Sequence, residues 1–442
     1  MRETDLLVIG AGMAGLTAAA RAARDGRRVL VVEVGEDVGG SARFAGYIWT
    51  APSRQVMDDV NPGGDEALRH AVVDRFSEGV EWIRSVGVDV RPAVPVLGFG
   101  RGHQFDTNQY LDLCRRIVVD AGGEILLRTQ ASRLLTENGR VLGAELSVPE
   151  GTQEVRAAWT LVATGGFQGD PELVASRIHP RAAGMQLRSN PRSTGAGYRL
   201  ASSVGAATGP DDAGFYGHLI PSGVPFTDPA DFVDLSLYYS EHALLFNVDG
   251  QRFTDETLGD HLTTMALLEQ PESRGLLVCD ARVHREWIVT SYVEGAIAVD
   301  KFALASKRGG RVGVADSLDE LDYLPDDWGY DGSTIRAQVE SYNRAASAGK
   351  QQQPARARDG APLDEGPWYV VECVPALTFP FHGIRIDDRA RVLGRDGVAV
   401  PGLLCAGSDT GGVYNRAYAG GLASALVFGL TASATASAEI VV

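Results

Sequence analysis

The sequence predicts an α/β protein: a Rossmann-like dinucleotide-binding domain with a second, α+β domain inserted into it as a cap. Three observations carry that prediction. A glycine-rich turn joins an apolar strand to an alanine-rich helix near the N-terminus. Two further apolar strands ending in small residues occur much later, around Leu161 and Leu403. Between them, from about residue 211 to 365, the composition shifts to aromatic, proline and acidic residues without a nucleotide-type motif.

A chain of 442 residues with 44% hydrophobic content can bury a core in each of two domains. A formal charge of −16 opposes nucleic acid, because phosphate binding needs a basic surface that releases counterions. Cys114, Cys279, Cys373 and Cys405 lie far apart and form no C-x-x-C, so neither an iron–sulfur cluster nor a structural zinc is encoded locally. They read as scattered buried thiols of a reducing cytoplasm. The first residues run straight into a strand, without the pattern of a signal peptide. No segment reaches the uninterrupted apolar length of a membrane span, and residues 420–442, broken by glycine and serine, read as a core-packed helix. The expectation is a soluble cytoplasmic protein.

Leu6-Leu7-Val8-Ile9 is the continuous apolar run of a buried parallel strand, and Gly10-Ala11-Gly12-Met13-Ala14-Gly15 follows at once. Residues 16–24 continue as a helix, Gly26 breaks it, and Arg28-Val29-Leu30-Val31-Val32-Glu33 makes a second strand ending in an acid. In such a βαβ unit Gly10 permits the tight turn, Gly12 admits a pyrophosphate to the backbone, and Gly15 lets helix and strand pack closely. Met13 and Ala14 open the helix whose N-terminal N–H groups face the anion. Glu33, with Val34 beside it, is the expected acceptor for a ribose diol.

A second glycine pair follows in Val38-Gly39-Gly40-Ser41; later come Ala163-Thr164-Gly165-Gly166-Phe167 and Cys405-Ala406-Gly407-Ser408-Asp409. In these segments the chain resembles the FAD-binding flavoproteins of the fumarate reductase and succinate dehydrogenase family, nearest in character to 3-ketosteroid dehydrogenase-like desaturases. The resemblance runs in order along nearly the whole chain. It implies a glutathione-reductase-type FAD-binding domain over residues 1–210 and 366–442, with a substrate-binding cap over 211–365. It further implies that Gly39, Gly40, Ser41, Ala131, Ala163, Thr164, Gly165 and Gly166 line the FAD and that Asp409 binds its ribityl chain. Gly421 and Leu422, at the start of a helix, would point N–H groups toward the flavin pyrimidine edge. Covalent attachment in the succinate dehydrogenase branch uses a histidine just after the glycine pair. None occurs between Gly35 and His70, so the FAD is expected to be non-covalent.

Residues 110–121 read as a helix, and strands around 125–127 and 141–144 fit the small β-meander of these flavoproteins. Thr194-Gly195-Ala196-Gly197-Tyr198 resembles the family's T-G-D-G-x element, with alanine in the place of the acid. The segment from Gly250 to Glu256 resembles G-x-R-F-x-x-E, in which Arg252 and Glu256 hold the cap against the flavin; alternatively they form a solvent ion pair. Residues 351–359 read as a solvated return linker.

The chemistry concentrates in Tyr414-Asn415-Arg416-Ala417-Tyr418, set among glycines. Arg416 matches the arginine that binds substrate carboxylate in fumarate reductases. Tyr418 or Tyr414 matches the tyrosine that, with a backbone N–H, polarises the ketone in ketosteroid dehydrogenases. Two departures oppose fumarate reduction: Gly259-Asp260 stands near the place of the family's proton-donating arginine, and Phe379 and His382 replace a histidine and a glycine of the T-x-G-G segment.

The expected reaction is α,β-dehydrogenation of a cyclic ketone or keto acid, with oxygen, a quinone or a protein as external acceptor. The base comes from Tyr216, Tyr238, Tyr239 or His218 in the cap. His242, His261 and His284 read as surface residues, while Trp49 and Tyr47 line the pocket or fill a domain interface. An ene-reductase running the opposite way is the alternative. A third reading is a non-catalytic binding protein on a flavoprotein fold, like the escort proteins of small GTPases; the intact glycine motifs, Glu33 and Asp409 argue against it.

Overall fold

The computed structural model describes residues 2–149, 151–226, 231–290, 298–350 and 352–439. The chain divides into two compact units, one of Met1–Ala183, Ser189–Tyr216 and Phe379–Val442, the other of Gly184–Arg188 and Gly217–Thr378.

In the first unit, Ala399–Cys405, Gly151–Val162, Arg2–Ile9, Val29–Val32 and Glu124–Leu126 form a parallel sheet in that order. Leu6, Leu7, Val8 and Ile9 are all buried, as a central parallel strand requires. Gly151–Val162 is long enough to serve twice. Its first half closes the antiparallel meander with Gln130–Glu137 and Arg140–Val148, and its second half lies beside Arg2–Ile9.

Three helices of this unit are tied by one phenol: Tyr110 Oη lies 2.7 Å from Thr17 Oγ1 and accepts from Trp82 Nε1 at 3.0 Å. The C-terminal helix Gly421–Glu439 packs closely on Met13–Arg24, since a Cβ at Gly429 would lie 2.7 Å from the Ala14 carbonyl oxygen. Residues 421–438 are, by length and composition, apolar enough to cross a membrane, although the sequence reading found no such segment. The glycines and serines leave their mean hydropathy high, and 72% of the window is buried inside the protein.

The second unit is built around Trp368–Pro380, which pairs antiparallel with Gly275–Cys279 and with Val312–Ala315, while Leu244–Asn247 pairs with Gly275–Cys279. Its core gathers Leu244, Phe246, Leu277, Val278, Val371, Ile335 and Val339. Ile335 and Val339 come from the helix Gly332–Ser347, whose N-cap Asp331 accepts from Ser333 N and Thr334 N.

The unit boundaries differ from the expected 211–365. The strand Trp368–Pro380 pairs with four other strands, so the chain stays in the second unit through Thr378. Tyr216, expected in the cap, ends a segment of the first unit. Residues 351–359 are not a solvated return linker either; Gln351 itself lies outside the described residues. Arg356 is buried, donating to the Ala243 and Glu241 carbonyl oxygens at 2.6 and 2.7 Å.

The same guanidinium lies 3.5 Å from Glu256, which Arg252 grips through Nε at 2.9 Å and Nη2 at 2.6 Å. Glu256 is fully buried, so this trio is an internal pin of the second unit and not a solvent ion pair. His261 is likewise buried, against the surface reading.

Removing the one acid leaves two guanidinium groups uncompensated in the interior. Glu256→Gln is therefore expected to lower stability by roughly 3–5 kcal/mol, read from urea unfolding. A change within about 0.5 kcal/mol, the usual effect of a surface substitution, would show the pin to be dispensable.

Candidate active site

The glycines of the N-terminal turn divide by what surrounds them. A Cβ at Gly10, where φ is +105°, would lie 2.2 Å from the Ala163 carbonyl oxygen, and one at Gly15 would lie 2.0 Å from the Gly10 carbonyl oxygen. Those two positions are closed by the protein's own backbone. At Gly12 the nearest atom to a Cβ is the Gly39 carbonyl oxygen at 3.8 Å. Gly12 is also the N-cap of the 12-residue helix starting with Met13 and Ala14, and no side chain caps it. The open backbone and uncapped N–H groups of that helix suit a pyrophosphate. Gly39 N donates to the Ala11 carbonyl oxygen at 2.8 Å, and Gly40 packs near Gly12 Cα, so the second glycine pair borders the same cradle.

Glu33 is fixed at the tip of its strand, accepting from Ala11 N at 2.9 Å and Gly35 N at 2.7 Å. Each carboxylate oxygen retains a lone pair in the position expected to meet the ribose. Thr129 N donates to the Glu33 carbonyl oxygen at 2.8 Å, which brings the strand carrying buried Ala131 beside exposed Val34.

Asp409 is buried and collects the other loop. Its Oδ1 accepts from Thr164 Oγ1 at 3.0 Å and Gly166 N at 3.2 Å, and its Oδ2 accepts from Thr164 N and from Gly165 N at 3.1 Å. Burial raises its pKa, and these donors work against that rise. Asp409, expected on the ribityl chain, thus organises the Ala163–Gly166 turn with both oxygens already engaged. Both glycines there have positive φ, +94° and +87°. Beside the turn, Gln168 donates to the Gly165 carbonyl oxygen at 2.9 Å and Ser189 Oγ at 3.1 Å, while its Oε1 is buried without a partner. Ser41 Oγ lies 3.0 Å from Ser189 Oγ. An open glycine cradle, an uncapped helix and an orphaned carbonyl at a glycine turn together fit an FAD.

The polar run 414–418 is sorted sharply by burial. Tyr414 is buried, donates toward the Gly420 carbonyl oxygen at 3.0 Å, and has its pKa pushed up by burial, so it is a packing residue. Arg416 is exposed, and its backbone N–H, with those of Asn415 and Ala417, converges on Asn61 Oδ1 at 3.0–3.2 Å. Tyr418 is half-buried, stacked on Tyr216 with centroids 3.6 Å apart and edge-on to Trp49 at 5.2 Å. Its hydroxyl accepts from Gly421 N at 2.9 Å, at the first residue of the C-terminal helix, next to Leu422. Trp49 is thereby part of the Tyr418 setting within the first unit. His382 is buried beneath this region, held between the Pro210 carbonyl oxygen at 3.0 Å and Tyr198 Oη at 3.3 Å.

His218 belongs to the second unit. It is buried on strand Phe215–Pro221, with Nδ1 2.5 Å from Oδ2 of Asp260, the first residue of helix Asp260–Leu268. Tyr238 crosses its ring edge-on at 5.0 Å. Burial and the nearby Arg188 charge lower the His218 pKa, and Asp260 opposes them. Burial raises the Tyr238 phenol. The sequence reading missed two members of this cluster, Asp260 as a partner and Arg188 altogether. Neither sits in a recognisable motif; only the fold brings residues 188, 218, 238 and 260 together.

The glycine contrast gives a direct test. Gly12→Ala is expected to fold like the parent yet bind the dinucleotide at least tenfold more weakly, whereas Gly15→Ala should fail to fold stably. Thermal melts and the visible absorption of the purified proteins read both effects. A second test concerns His382, whose pKa burial lowers. Its native form binds fewer protons than its unfolded form, so stability is present above about pH 6.5 and is lost as pH falls, by at most about 1.4 kcal/mol per pH unit. Thermal midpoints from pH 8 to 5 should fall less steeply in His382→Gln than in the parent, and parallel slopes would contradict this.

Over residues 5–424 the chain matches the FAD binding domain family. It is 26% identical over 469 residues to a fumarate reductase (cytochrome) of Shewanella frigidimarina, spanning 98% of this chain and 77% of that protein. In fold it is similar to the 3-ketosteroid-delta4-(5alpha)-dehydrogenase of Rhodococcus jostii RHA1, with a TM-score of 0.79 at 20% identity over 99% of this chain and 97% of that one. The 3-ketosteroid delta1-dehydrogenase of Sterolibacterium denitrificans gives a TM-score of 0.80 at 17% identity over 99% and 100%. Because the family match takes in both returns to the glycine cradle as well as the inserted unit, the chain belongs to this FAD-binding family and is an FAD-dependent oxidoreductase.

Proposed function

We propose that the enzyme desaturates a carbonyl compound, a cyclic ketone or keto acid, at the bond between its α and β carbons. The observation that carries this reading is the Tyr418 hydroxyl accepting the first N–H of the C-terminal helix at 2.9 Å. An N–H donating into a phenol oxygen makes its O–H the stronger donor. A substrate carbonyl receiving that O–H would have its developing enolate stabilised. Tyr216 and Trp49 hold the Tyr418 ring in place.

A base must take the α-proton; within the second unit, burial lowers the His218 pKa and Asp260 lies 2.5 Å from its Nδ1, a setting that suits a base. Burial works against a Tyr238 phenolate. FAD supplies the acceptor for the hydride leaving the β-carbon. Loss of that proton and hydride leaves the carbon–carbon double bond, and oxygen, a quinone or a protein takes the two electrons onward. The four free, buried cysteines support placing the reaction in a reducing cytoplasm.

The reverse reaction, reduction of an enone or unsaturated acid, has the support of the sequence likeness to a fumarate reductase. Anaerobic mixing separates the two. Bleaching of the flavin band by a saturated cyclic ketone supports desaturation; reoxidation of dithionite-reduced enzyme by an enone, with no ketone bleaching it, would replace that reading by the reductase. In Tyr418→Phe the FAD should stay bound while the reduction rate falls about 10²–10³-fold, the usual cost of one oxyanion donor. An unchanged rate removes Tyr418 from the chemistry.

A further inference from the structure

The segment that leads into Tyr418 is held by a single buried amide. Asn61 ends the helix Arg54–Val60 and is fully buried. Its Oδ1 accepts three successive backbone N–H groups, those of Asn415, Arg416 and Ala417, at 3.2, 3.1 and 3.0 Å. Only the amide oxygen can receive donors, so the side chain has one orientation, and Nδ2 faces Met57 Sδ, a weak acceptor, at 3.7 Å. Successive N–H groups aimed at one point form a concave positive site, and here the protein's own side chain fills it.

Neighbouring contacts fasten the same segment at two further points. Asn415 Oδ1 accepts from Gly63 N at 3.1 Å, and the Gly412 carbonyl oxygen accepts from Asp65 N at 2.8 Å. The approach leaves no room for side chains at the turn. A Cβ at Gly63 would lie 2.4 Å from Asn415 Nδ2, and one at Gly64, where φ is +80°, would lie 2.7 Å from the Gly412 carbonyl oxygen. Buried Arg69 holds the turn itself, donating to the Gly63 carbonyl oxygen at 2.5 Å and to Asp58 Oδ1 at 3.1 Å. Residues 61–65 thus form a seat for residues 412–417, and Tyr418 is the next residue after the last N–H that Asn61 receives.

We propose that Asn61 is a positioning residue for the reaction: it sets the backbone from which the Tyr418 hydroxyl meets the first N–H of the C-terminal helix. The inference rests on the reading that Tyr418 polarises the substrate carbonyl. Without the Asn61 oxygen, three N–H groups lose their acceptor together and regain partners only if the segment turns toward water. Such a turn moves the phenol away from Gly421 N, from which its oxygen accepts at 2.9 Å. A displacement of about 1 Å at a reacting group costs on the order of 10²-fold in rate.

Asn61→Leu removes the acceptor with little change of volume, and Asn61→Asp keeps an oxygen for the three N–H groups. In Asn61→Leu the FAD should stay bound while the limiting rate of flavin reduction by a saturated cyclic ketone falls about 10–10²-fold. The half-saturating ketone concentration should change less than about twofold, because Tyr418 acts on the transition state. Asn61→Asp should recover most of the rate. In a Tyr418→Phe background Asn61→Leu should cost less than about threefold more, since the phenol through which it acts is gone. A full further loss in that background overturns the proposal, as does an Asn61→Asp as slow as Asn61→Leu or an Asn61→Leu as fast as the parent. Should Asn61→Leu not fold, Asn61→Ser, whose hydroxyl is too short to meet all three donors, takes its place. Fluorine NMR of the FAD-loaded protein labelled with fluorotyrosine needs no substrate. The Tyr418 line, identified by its absence in Tyr418→Phe, should shift or split in Asn61→Leu and return in Asn61→Asp; a parent-like line in Asn61→Leu overturns the proposal. If no ketone bleaches the flavin, desaturation fails while the Tyr418 line still decides the role of Asn61.

Discussion

One buried carboxylate holds the first unit's working face together. Asp409 lies at the end of one returning strand and accepts four hydrogen bonds from the turn at the end of its neighbour. Gly165 and Gly166 can present their N–H groups to it only because both take positive φ. The charge is buried, so any donor lost from this set would leave an acid in the interior with less to hold it ionised. The backbone ladder sets those two strand ends in register up to Ala406 and Val162, and Asp409 extends the connection into the turn beyond them.

Much of this was legible in the sequence because it is written locally. Gly10, Gly12 and Gly15 announce a turn whose three positions have different jobs, and the structure separates them by what a Cβ would strike. Hydrophobic runs gave the parallel strands, and the long apolar run ending at Thr164 gave the return. The line between the units was less legible. Trp368–Pro380 reads as an ordinary buried strand, and nothing in its composition says which sheet it completes.

The chemistry was legible only in part, for the same physical reason. Tyr414 and Tyr418 are four residues apart and equally plausible by type, yet one is spent on a carbonyl in the interior while the other meets a helix terminus. Arg416 looked like an anion ligand because of its neighbours in sequence; in the structure its side chain is exposed and its backbone N–H meets Asn61 Oδ1. Arg188 stands in no motif, and only burial brings it beside Ser236, Tyr238 and Thr378.

The cysteines have a consequence for how the molecule can be watched. All four are free and buried, Cys114 and Cys405 in the first unit, Cys279 and Cys373 in the second. Burial pushes the Cys114 thiol up to about 12 and the other three upward as well, so the reactive thiolate is scarce in the native protein. Alkylation then waits on local opening. Each unit carries its own pair of chemical clocks, and the order in which the four sulfurs are labelled reports which unit breathes first.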